Sequence, residues 1–106
     1  MEIQLVRSSH KPWGIDGRLY INYRYVCDSV EHPTYRKSAG VYRIDLETNP
    51  FRHGDGALGS KKGEIIVGKQ LMPGLVTQSQ QTYDRLYERL KKAFQRGNSV
   101  RLRIEG

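Results

Sequence analysis

Apolar and polar positions alternate from the start of the chain. Ile3 and Leu5 are set among Glu2, Gln4 and Val6, which predicts a first strand. Pro12 and Gly14 then break the pattern, and residues 8–16 read as a loop. Residues 17–30 are rich in Tyr, Ile and Val, which favour strands, with Asn22 near the middle. Asn tolerates a positive φ, so this stretch predicts strand, turn at Asn22-Tyr23, strand. A polar connection with Pro33 follows, and residues 40–46 form a further strand with Tyr42, Ile44 and Leu46 on one face. Residues 49–63 carry Pro50 and four glycines and predict a long loop. Residues 64–67 predict a short buried strand, and Pro73-Gly74 a turn.

The helix has the strongest pattern. Tyr83, Leu86, Tyr87, Leu90 and Phe94 repeat at helical spacing and predict a helix over about 79–97, ended by Gly97-Asn98. Thr77 and Ser79 are candidate N-caps. Val100, Leu102 and Ile104 alternate with Ser99, Arg101 and Arg103, a closing strand with a cationic outer face. These elements predict an α+β fold in a single domain, 1–106: a mixed, mostly antiparallel sheet or small barrel with one C-terminal amphipathic helix. The predicted core is Ile3, Leu5, Leu19, Ile21, Tyr42, Ile44, Ile65, Val67, Leu86, Leu90, Phe94, Leu102 and Ile104.

Composition narrows the function. A chain of 106 residues, 37% hydrophobic, holds one core and no membrane span, its apolar runs being three or four residues long. The N-terminus shows no basic and apolar signal segment, which favours the cytoplasm. A single cysteine excludes an internal disulfide and a cysteine-rich zinc site. The net charge is +7 and uneven: residues 61–106 hold ten Lys/Arg against four Asp/Glu. On the helix, Arg85, Arg89, Lys92 and Arg96 fall on one stripe at 100° per residue. With Arg101 and Arg103 they form a basic patch able to track a polyanion such as nucleic acid, or simply to face solvent.

Few residues suggest chemistry. His10, His32 and His53 are dispersed, and no metal or cofactor is expected. Cys27 lies in a predicted strand with no neighbouring cation and reads as a small buried hydrophobe. Trp13, beside Pro12 and Gly14, suits either a ligand anchor or a cap on the core. His53 heads the glycine-rich loop and Glu64 closes it, a candidate acid/base pair for hydrolysis.

A resemblance spans most of the chain in short motifs: Leu5-Val6-Arg7, Gly17-Arg18-Leu19-Tyr20-Ile21-Asn22, Cys27 through Glu31, Ala39-Gly40-Val41-Tyr42-Arg43-Ile44, His53, and Gly63-Glu64-Ile65-Ile66-Val67-Gly68. This order resembles a small bacterial and phage-associated family of unknown function, itself similar to the catalytic segment of L,D-transpeptidases. The resemblance implies a cysteine after Gly63, where this chain has Glu64, and apolar residues before His53, where it has Phe51-Arg52. It therefore implies a non-catalytic module that binds peptidoglycan or another cell-envelope, phage or protein partner. Trp13, His53, Asp55, Lys61, Lys62 and Glu64 would line its site.

Overall fold

The computed structural model describes residues 1–106. Strands β1 (Glu2–Lys11), β2 (Gly14–Ile21) and β3 (Arg24–Glu31) form a meander. They are followed by β4 (Gly40–Ile44), β5 (Phe51–Arg52), β6 (Ile65–Met72), β7 (Leu75–Thr77), α1 (Ser79–Gln95) and β8 (Val100–Glu105). The sheet runs β4-β8-β1-β2-β3-β6-β5, with β7 folded back on β6. Only the β1–β8 and β5–β6 pairs are parallel. The fold is α+β with a mixed, mostly antiparallel sheet, and its one α-helix lies near the C-terminus.

Side-chain alternation sets the faces of the sheet. Ile3, Leu5, Leu19, Ile21, Leu102 and Ile104 point to one side, where Leu86, Leu90 and Ala93 of α1 cover them. The expected core holds, except that Tyr42 and Phe94 pack at its margin. Phe51, fully buried, belongs to it and stands in a segment read from sequence as loop. The run Ile65-Ile66-Val67 is buried on both sides: Ile65 and Val67 enter the main core, while Ile66 joins Val30, Ala57 and Val76 in a second cluster.

Several local expectations change. Residues 8–16 are not a loop. They are the ends of two strands paired from Ser9↔Asp16 to Lys11↔Gly14, with only Pro12-Trp13 at the tip. Ser8 to Lys11 are polar and mostly exposed, so no apolar alternation reveals this part of β1, while Ile15 and Asp16 across from it are buried. Strand β6 runs to Met72, beyond the expected 67, because β7 pairs with it across the Pro73-Gly74 turn. The Asn22-Tyr23 turn is as expected, with φ of 48° and 69°. Gly97 ends the helix at φ 77°. Neither Thr77 nor Ser79 caps α1; Gln78 occupies that position in a left-handed conformation without a side-chain bond. The Ser79 hydroxyl is engaged elsewhere.

Two polar devices fix the strand ends. Arg7 and Glu31, both buried, form a bidentate pair at 2.8 and 2.9 Å, and Arg7 Nη2 also donates to the Lys37 carbonyl at 2.6 Å. Asp16, also buried, accepts the Gly74 N–H at 2.8 Å and so fastens the β6–β7 hairpin to β2.

Candidate functional site

The largest concavity, about 690 Å³, lies where the β1–β2 and β6–β7 hairpin tips meet the 52–59 segment. Close backbone packing makes this convergence. A Cβ on Gly14 would stand 2.5 Å from the Ala57 Cβ, and one on Gly74 3.0 Å from Trp13 Cδ1. Ala57 N–H donates to the Gly74 carbonyl, and Val76 N–H to the Asp55 carbonyl. The 3₁₀ turn Ala57–Gly59 is thereby held against the hairpin.

Trp13 belongs to neither buried cluster and is 47% exposed, a wall of the cleft rather than a cap on the core. Leu58 and Leu75 present further exposed apolar surface, and Ile66 lies deeper. His53 is exposed, and its ring meets the edge of Tyr83 at 5.6 Å between centroids. Ser79 positions this segment: its Oγ accepts the Gly54 N–H at 3.0 Å and donates to the Val67 carbonyl. A residue expected to cap the helix thus ties the His53 loop to β6.

Trp13, His53, Asp55 and Glu64 all line this one cleft, as the sequence reading grouped them. Lys61 and Lys62 do not line it; they occupy the turn beside it. Glu64 Oε1 accepts the Lys61 N–H at 2.7 Å, and Oε2 lies 3.7 Å from Arg52 Nε. Arg52, Leu58 and Leu75 also line the cleft and were not expected. The only sequence signal for the last was the Pro73-Gly74 turn flanked by apolar residues that no strand pattern buries. No Cys, Ser, Thr or Lys side chain lines the cleft. No three His, Cys, Asp or Glu side chains converge as a metal site would require.

Cys27 lies in the main core, with its thiol pushed up from 9.0 to about 12, chiefly by burial and then by the Asp28 charge. An unfolded thiol releases its proton near 9.0, while the folded one keeps it to about 12. The fold therefore binds the extra proton between these values. This contribution to stability is complete below pH 9 and declines as pH rises toward 12. We expect iodoacetamide at pH 8 to leave Cys27 unmodified in the native protein and to alkylate it in urea, read by intact mass. Rapid native alkylation would contradict the burial.

The basic patch is divided. Arg101 and Arg103 alternate with Val100, Leu102 and Ile104, whose side chains meet α1, so the two arginines face away from the helix. Arg103 Nη2 lies 3.4 Å from Glu2 Oε1. Arg85, Arg89 and Lys92 on α1 and Arg96 at its C-terminal cap are all exposed. No helix is long and apolar enough to cross a membrane. Comparison with protein-family models, curated proteins and solved structures finds no match to this chain.

Proposed function

We propose that this chain is a non-catalytic binding module whose cleft takes a peptide of the cell envelope, with a peptidoglycan stem peptide as the ligand class. The observation that carries this reading is the make-up of the cleft. Trp13 and Leu75 offer apolar contact, Asp55 and Glu64 suit an ammonium group, and Arg52 and His53 suit a carboxylate. A stem peptide presents all three chemistries. The lack of a Cys, Ser, Thr or Lys side chain in the lining favours binding over acyl transfer. The resemblance to the L,D-transpeptidase pattern supports the same reading, with Glu64 where that pattern has cysteine. Glu64, held by Lys61 N–H and beside Arg52, closes the turn and shapes the wall.

The test is co-sedimentation with purified sacculi at near-physiological salt. Wild-type protein should be retained. Trp13→Ala should weaken retention about 30-fold, the effect of losing an aromatic anchor worth about 2 kcal/mol. Absence of retention, or retention unchanged by Trp13→Ala, would sink the proposal.

A further inference from the structure

A second concavity, about 330 Å³, lies toward the other end of α1. His53 and Gly54 contact the first turns of the helix, at Tyr83 and Ser79. This second site is bounded instead by Arg89, Lys92 and Arg96, together with Asn22 at the β2–β3 turn and Asn98 after the helix. No carboxylate lines it. Such a gathering of like charges is unfavourable by itself and is relieved by an anion. The two carboxamides add neutral donors suited to oxyanions.

The charge does not end at the concavity. Arg85 continues the row, so four cations extend over twelve residues, eleven steps of 1.5 Å or about 16 Å. One phosphate cannot engage a row of that length, whereas a chain of phosphates can. The concavity has no aromatic lining, so it offers no platform on which an unpaired base would stack. Asp84, the nearest acid at the start of the row, is held by Gln80 Nε2 at 2.9 Å; Glu88 flanks the row.

We propose that this row and its concavity bind the phosphodiester backbone of duplex nucleic acid without reading its bases. The site is separate from the envelope-peptide cleft and does not depend on that reading. Arg101 and Arg103, on the far side of the sheet, take no part.

The experiment is fluorescence anisotropy with a labelled 20-base-pair DNA duplex across 50–200 mM salt. Four phosphate contacts give a slope of log K against log salt of about −3.6. The triple variant Arg89→Ala, Lys92→Ala, Arg96→Ala should bind more than about tenfold more weakly at 50 mM salt, with a slope shallower by about 2.7. All three residues are exposed, and an unchanged thermal melt by circular dichroism will show that the variant is folded. The double variant Arg101→Ala, Arg103→Ala should keep its affinity within about twofold. The proposal falls if wild-type protein does not bind at 50 mM salt, if the triple variant binds as wild type, or if the sheet-face variant loses the affinity instead. Equal binding to polyglutamate would overturn the assignment to phosphodiester.

Discussion

Replacing Glu31 with Leu is expected to destabilise the protein by about 3–5 kcal/mol, because it leaves the Arg7 guanidinium buried without its counter-charge. The side chains of Arg7 and Glu31 are only 2% and 1% exposed. Water therefore cannot replace either partner without local opening. Arg7 also holds the Lys37 carbonyl, so an unpaired Arg7 would loosen the connection that leads into β4. For a domain whose whole stability is about 5–15 kcal/mol, this change brings unfolding close to physiological temperature. The double variant Arg7→Met, Glu31→Leu should recover most of the loss, because an apolar pair of similar volume needs no desolvated charge. Urea titrations of wild type, both single variants and the double variant close the cycle. Single variants costing under about 1 kcal/mol would mean that solvent reaches the pair.

Gly14→Ala should cost about 3 kcal/mol, and it should disable the cleft as well. Two effects act together at this position. Its φ is 154°, outside the range that L side chains adopt with ease, and an added Cβ would meet the Ala57 Cβ at 2.5 Å. Gly40 separates them. Its φ is 151°, yet an added Cβ has nothing within 4 Å. Gly40→Ala therefore reports backbone strain alone, at about 1 kcal/mol. The remaining difference of about 2 kcal/mol is the close approach of the hairpin to the 3₁₀ turn. Ala57 can relieve the clash only by moving away from Gly74, whose carbonyl it bonds, and that movement opens the cleft wall. Sacculus retention should fall for Gly14→Ala and persist for Gly40→Ala. Equal urea midpoints for the two variants would show that the three segments are not in close contact.

The pattern of residues foretold elements whose signal is local. Leu86, Leu90 and the apolar set of β8 recur at their own periods because each element turns one face to a single core. Asn22 and Gly97 mark turns because their backbone conformations are intrinsically available to them. The β1–β2 arm was illegible for the opposite reason. Ser9, His10 and Lys11 are polar and pair with Asp16, Ile15 and Gly14 of β2, so backbone hydrogen bonding between strands holds them without hydrophobic alternation of their own. Phe51 also lacked a strand pattern, since β5 is two residues long and its place depends on the parallel pairing with Ile65 and Ile66.

The candidate site divides along the same line. Residue chemistry singled out Trp13, His53 and Glu64, and the resemblance added Asp55, Lys61 and Lys62, of which the two lysines lie outside the cleft. The meeting of the other four in one cleft was settled by contacts far apart in sequence: Gly74 on Asp16, Gly14 against Ala57, Gly54 on Ser79. Ser79 shows the physical limit most plainly. A serine at a helix start reads locally as a cap, but a half-buried backbone N–H from a distant loop competes for the same oxygen and wins. The helix stripe followed from periodicity alone, while its separation from Arg101 and Arg103 required knowing which side of β8 the helix covers. Sequence by itself thus determined the fold class and most of the core, because those depend on local periodicity and composition. Only the tertiary structure decided which of the candidate site residues share a surface, because that depends on pairing and close packing between segments that carry no mark of one another.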